Sequence, residues 1–114
     1  MDLHQIEALL KTSLTLDPKS AEAHLQLGNL YSDQSKYADA IPEYEKAREL
    51  DPDLADVRYR LGQAYVRTGQ KERAQEEFAV YQKIREQHLA ELDKQRAEIR
   101  QFVYSAKNGA TAKP

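Results

Sequence analysis

An Asp-Pro pair stands at Asp17-Pro18 and again at Asp51-Pro52, and the 34-residue interval between them governs most of this chain. Leu27-Gly28-x-x-Tyr31 returns at that offset as Leu61-Gly62-x-x-Tyr65, and Ala40-x-x-x-Tyr44 returns as Ala74-x-x-x-Phe78. A fixed period of this length is the signature of helical hairpins that cannot bury their apolar faces alone and stack on one another to do so. The fold class expected is therefore all-α, a helical-hairpin solenoid. Such an array exposes long faces suited to holding other proteins.

The apolar residues inside each unit fall at helical spacing. Over 21–34 they are Ala23, Leu27, Leu30 and Tyr31, and over 37–50 they are Ala40, Ile41, Tyr44, Ala47 and Leu50. The second unit repeats them as Val57, Leu61, Ala64 and Tyr65, then Ala74, Phe78 and Tyr81. Gly28 and Gly62 lie within helices, where glycine costs about 1 kcal/mol relative to alanine. That cost implies a close approach, with the small Ala40 or Ala74 expected opposite. Pro18 and Pro52 forbid continuation of the preceding helix. Gly69 suits a left-handed cap between the helices of its unit, a place that Ser35 fills in the first unit and suits less well. Pro42 is expected near a helix start, where free N–H groups make proline tolerable.

With these residues the chain resembles the tetratricopeptide repeat (TPR) family. The family pattern is W-x2-L-G-x2-Y, then A-x3-F, then proline. The first full unit carries His24, Leu27, Gly28, Tyr31, Ala40, Tyr44, Ala47 and Pro52 at those places, and the second carries Arg58, Leu61, Gly62, Tyr65, Ala74 and Phe78. His24 and Arg58 replace the first large apolar residue, Tyr81 stands where a small residue is usual, and no proline closes the second unit. The resemblance implies that the first helix of each unit lines a concave groove. Positions there not needed for packing are Glu22, Leu25, Gln26, Asn29, Ser32 and Asp33, then Asp56, Tyr59, Arg60, Gln63, Val66 and Arg67. The candidate peptide-binding residues among them are Leu25, Asn29, Tyr59, Arg60, Gln63, Val66 and Arg67. Amides and guanidinium groups can bond an extended backbone, while Leu25 and Tyr59 accept side chains. Some family members hold a C-terminal carboxylate with Lys and Asn at set positions. Asn29 and Arg60 stand at two of these, but Leu25 replaces the expected lysine and Asp56 brings an acid, so chaperone-tail binding of that kind is not expected.

The organisation expected from the period is 1–20 as the second helix of a truncated repeat, 21–54 and 55–88 as full repeats, 89–107 as a C-terminal helix and 108–114 as a disordered tail. The face Leu3, Ile6, Leu10 and Leu14 then lacks a preceding helix, and a fragment of a larger protein is the expectation. No proline or glycine occurs over 72–106. This stretch reads as one helix of about 50 Å, or as two with a break near Arg85–His88. It serves either as a cap over the last repeat or as a dimerisation arm.

Composition narrows the function classes. The hydrophobic fraction is 40% and the charged fraction 32%, as an exposed helical solenoid requires. Residues 1–54 carry 5 basic and 11 acidic side chains, and residues 55–114 carry 12 and 8, so net charges of −6 and +4 offset to −2 overall. Without cysteine there is no disulfide or thiolate site. The three histidines share no ligand spacing, and no phosphate loop, H-E-x-x-H or nucleophile elbow occurs. No metal, cofactor or catalytic role is expected. The cations Arg85, Lys94, Arg96 and Arg100 alternate with acids, which argues against nucleic acid. No apolar run approaches the ~20 residues of a membrane span. A cytoplasmic location is the default expectation, open to revision if a targeting segment belongs to a longer parent. The expected function is a protein-protein interaction module for a peptide or protein partner. A module forming a homodimer or larger homo-oligomer through its terminal helices is the alternative.

Overall fold

A computed structural model describes residues 1–109. Among these residues the chain forms five α-helices: α1 (Leu3–Leu16), α2 (Ala21–Asp33), α3 (Tyr37–Leu50), α4 (Ala55–Arg67) and α5 (Lys71–Lys107). Two units are distinguished, Met1–Gln82 and a second that begins at Lys83, and α5 contributes residues to both. None of the helices is long and apolar enough to cross a membrane.

Local chemistry sets the helix ends. Asp2 begins α1 with a capping box, its carboxylate accepting from the Gln5 N–H and its own N–H donating to Gln5 Oε1, both at 2.9 Å. Ser20 caps α2 through the Ala23 N–H. The two Asp-Pro turns share one device. The N–H of Asp17 closes onto the Ser13 carbonyl and that of Asp51 onto Ala47, while their carboxylates accept from the N–H groups of Lys19 and Asp53. Between the helices of each hairpin, Ser35 and Gly69 adopt left-handed φ values of 61° and 79°. The following N–H groups, of Lys36 and Gln70, reach back to the carbonyls of Tyr31 and Tyr65 at 2.8 and 2.7 Å, which makes both ends Schellman motifs.

In the first unit, α2 and α3 form one hairpin, α1 packs on α2, and α3 packs on α4. The core joins the two repeats through Leu25, Ala40, Tyr44, Ala47, Val57, Leu61, Ala64, Tyr65 and Ala74. Tyr44, Leu27, Leu61 and Val57 are its largest fully buried side chains, each contributing about 1.5–3 kcal/mol by leaving water. The helical glycines have a reason that differs from the one expected. It is the ring of the second helix that lies over them, rather than the alanine: a Cβ on Gly28 would stand 2.6 Å from Tyr44 Cε1, and one on Gly62 would stand 2.5 Å from Phe78 Cε1. Pro42 also differs from expectation. It is the sixth residue of α3, past the free N–H groups, so the carbonyl of exposed Ala38 loses its helical partner.

Polar ties link the helices as well. The hydroxyl of Tyr31 donates to Glu7 of α1 at 3.0 Å, and that of Tyr65 donates to Glu45 of α3 at 2.7 Å. Within each repeat, the residue that replaces the family's large apolar side chain meets an acid on the second helix. His24 Nδ1 pairs with Glu43 at 2.8 Å, and Arg58 Nη1 donates to Glu77 at 3.0 Å. Both acids stand at the same 34-residue offset as their partners. Glu77 is only 6% exposed and also accepts from Arg48 of α3, so one carboxylate joins α3, α4 and α5.

In the second unit α5 continues to Lys107. Asn108 follows as a turn, its side-chain amide donating to the Tyr104 carbonyl, and Gly109 is left-handed at φ 72°. The remainder of the expected tail, 110–114, lies outside the described residues.

Candidate functional site

The first helix of each repeat supplies the candidate face, and the structure divides the seven expected residues into three groups. Arg60, Gln63 and Arg67 come together. All three lie on α4 and line a pocket of about 160 Å³ whose other walls are Ser32 and Asp33 from α2, Tyr37 and Tyr44 from α3, and Ala64. The helical spacing of Arg60, Gln63 and Arg67 puts them on one face. That face meets the C-terminal turn of α2 and the first turn of α3. The Arg67 guanidinium lies 5.6 Å from the centre of the Tyr37 ring, a cation–π distance that orients its planar donors.

Asn29 is half-buried and serves the floor of the same region. Its Oδ1 accepts from the Tyr44 hydroxyl at 2.8 Å, and that hydroxyl is also 3.0 Å from Ser32 Oγ. Burial raises the Tyr44 phenol above its ordinary pKa, so the hydroxyl stays a donor. Asn29 therefore positions Tyr44 and Ser32, and it is tied to the core as well as to the surface.

Leu25, Tyr59 and Val66 are placed otherwise. Leu25 is 2% exposed and sits within the core against the α3 and α4 residues. It is not available to a ligand, because it is enclosed in the core that it forms with residues of α3 and α4. Tyr59, at the same place in the next repeat, is 40% exposed. Its ring packs on Phe78 at 5.8 Å and on Tyr81 at 5.1 Å, so only one side of it is open. Val66 is exposed but does not line the pocket.

Of the other lining residues, Ser32 and Asp33 were groove positions outside the seven candidates, Tyr44 and Ala64 were read from the sequence as packing residues, and Tyr37 was not read as either. It opens the second helix, outside the face from which candidates were drawn. The signal was its position beside the left-handed turn, one step from the closing of α2.

The pocket offers guanidinium donors, an amide, hydroxyls and one carboxylate, with aromatic walls. Such a set binds amide backbone and carboxylate groups through hydrogen bonds. It has no nucleophile–base pair. Among the described residues no group of three or more His, Cys, Asp or Glu could hold a metal ion.

Comparison with known proteins agrees with this architecture. A TPR repeat model matches residues 28–69, and tetratricopeptide repeat models match residues 9–41 and 55–88. The chain belongs to the tetratricopeptide repeat family. Its sequence is similar to a DnaJ homolog subfamily C member 7 homolog of Dictyostelium discoideum, 29% identical over 55 residues, which are 48% of this chain and 10% of that protein. The chain thus spans about a tenth of the length of this curated relative. Among solved structures it is similar to MamA, with a TM-score of 0.74, 23% identity and coverage of 77% of this chain and 52% of that one. It is also similar to the second TPR of Spaghetti (RPAP3) bound to the HSP90 peptide SRMEEVD. There the TM-score is 0.70 and identity 18%, over 72% of this chain and 76% of that one. At these identities the likeness is one of fold.

Proposed function

We propose that this chain is a protein-interaction module that holds an extended peptide segment against the faces of α2 and α4. The observation that carries the reading is the pocket between the repeats, where Arg60, Gln63 and Arg67 of one repeat face Ser32, Asp33 and Tyr37 of the other. These donors and acceptors are spread over two repeats, as recognition of an extended backbone requires. Family membership and the peptide-bound TPR of Spaghetti support the general mode. They do not extend to the same ligand: the place of a clamp lysine is held by Leu25, which is buried and uncharged. A segment with a carboxylate that reaches Arg60 and Arg67, and with backbone groups for Gln63 and Ser32, fits the donors better. We assign the chain no catalytic role.

The test is selection of binding peptides from a random library on the intact chain, followed by affinity measurement on variants. Arg60→Ala with Gln63→Ala should weaken binding at least about tenfold, the loss of one or two charge-assisted hydrogen bonds. Lys46→Ala with Glu49→Ala, two exposed residues of α3 that pair with each other, should leave it unchanged. Equal losses from both pairs would contradict the proposal. Glu45 is unsuited as a control because it holds the Tyr65 hydroxyl.

A further inference from the structure

The second unit carries an apolar face that the groove does not use. Leu89, Leu92, Ile99 and Val103 of α5 are 41–62% exposed. With Arg96 and Ala106 they form a seam whose steps alternate three and four residues: 89, 92, 96, 99, 103, 106. That is the a/d spacing of a two-stranded coiled coil. The opposite face of the same segment is polar, with Glu91, Lys94, Glu98 and Gln101. Helices in proteins draw most of their stability from packing such an apolar stripe rather than from intrinsic propensity.

The charges beside the seam say which cover fits. In a parallel pair, Arg96 would face its own copy in the middle of the seam. In an antiparallel pair, a positions meet d positions, so Leu92 faces the second copy's Val103 and Arg96 faces its Ile99, leaving the guanidinium free to extend to solvent. In the same register Asp93 and Arg100 of the other copy flank the seam on one side, offset by two residues or about 3 Å along the axis, within reach of their side chains, and symmetry forms that pair twice. Flanking charges of this kind select partner and orientation in coiled coils. Asp93 already lies 3.7 Å from Arg96 on its own helix, so the second copy's Arg100 would complete a cluster around it.

We infer that residues 89–106 of α5 form an antiparallel two-stranded coiled coil with a second copy of this chain. The inference is independent of the peptide-binding reading. The seam residues include none of those that line the α2–α4 pocket.

The experiment uses the intact chain and two charge variants, Asp93→Arg and Arg100→Asp, with association measured by sedimentation equilibrium. The unaltered chain should be a concentration-dependent dimer. Each variant alone sets like charges against each other at two places and should dissociate about tenfold more readily. An equimolar mixture of the two should recover the original association. Between unlike chains, positions 93 and 100 again carry opposite charges at both contacts, with the two cations on one chain and the two acids on the other. The chain has no cysteine, so Leu92→Cys and Val103→Cys chains give a second readout. Oxidising their mixture should link unlike chains, with little linking of either chain to itself. A monomer at all concentrations overturns the inference. So does a dimer that ignores both charge changes, or one in which Leu92→Cys links chiefly to itself.

Discussion

Gly62→Ala should change the sign of its effect when Phe78 is removed. A methyl at Gly62 would lie 2.5 Å from Phe78 Cε1, 0.9 Å short of the 3.4 Å at which ordinary contact begins, and within 2.9 Å of two further ring atoms. Overpacking of this kind costs about 1–3 kcal/mol. Against it stands a gain of about 1 kcal/mol from replacing a helical glycine. The single substitution should therefore be neutral to destabilising, by about 0–2 kcal/mol. In a Phe78→Ala background the ring is gone and only the helical gain remains, about 1 kcal/mol of stabilisation. A four-member double-mutant cycle, unfolded in urea and followed by circular dichroism, measures the coupling directly, and about 1–3 kcal/mol is expected. Phe78 is half-buried, which favours a folded background for the cycle. Gly28→Ala should cost more than Gly62→Ala, because Tyr44 is fully buried and held by Asn29 and Ser32, so its ring cannot swing aside. The reasoning fails if Gly62→Ala has the same effect with and without the Phe78 ring.

Other substitutions test the polar ties. Glu77→Ala leaves Arg48 and Arg58 facing each other without their shared carboxylate and should cost about 3 kcal/mol, the lower end for a broken buried pair because Arg48 keeps some solvent. Unfolding in denaturant measures it, and a loss under about 0.5 kcal/mol would match an ordinary surface position instead. Ser35→Gly relieves a left-handed serine and should add about 1 kcal/mol, read as a higher melting temperature. Alkali should weaken the fold through its tyrosines. Burial, and then the bond to Glu7, push the Tyr31 phenol from 10.0 up to about 12, and burial raises Tyr44 and Tyr65 as well. A raised phenol contributes fully below the unfolded value and loses that contribution as pH climbs through the folded one. Melting temperature should thus hold to about pH 10 and fall between there and about 12, with Tyr31→Phe removing its share of the slope. The Tyr31 hydrogen bond holds Glu7 below the usual carboxylate range. That contribution is present above the unfolded carboxylate pKa and is lost as pH falls through the folded one, so Glu7→Gln should flatten the acid limb.

The period made the helices and their buried stripes legible, because stacked repeats must bury the same positions in every unit. Chemistry that depends on which neighbour covers a position was harder to see. Leu25 and Tyr59 occupy one place in the repeat, yet the first is 2% exposed within the core formed with α3 and α4 residues, while the second keeps 40% exposure beside the rings of Phe78 and Tyr81. Position within the unit cannot distinguish them. The pairs His24–Glu43 and Arg58–Glu77 were written at a common offset, but reading the repeat through its apolar residues passes over them. They explain how both units accommodate polar side chains where the family usually has a large apolar one. The glycines were recognised as sites of close approach, but the approaching group is a ring, since the second-helix aromatic reaches farther than the alanine one turn before it. Of the pocket, Arg60, Gln63 and Arg67 were legible from helical spacing on α4. Tyr37 was not, because it joins the site from the other helix of the hairpin.

The most direct test of a peptide-binding face between the repeats is amide and side-chain NMR of the intact labelled chain titrated with a library-selected peptide. The account predicts that the largest shifts fall on Ser32, Asp33, Tyr37, Arg60, Gln63 and Arg67, with saturation at one peptide per chain. Shifts confined to the α3 residues Lys46 and Glu49, or to residues 89–106 of α5, would contradict it.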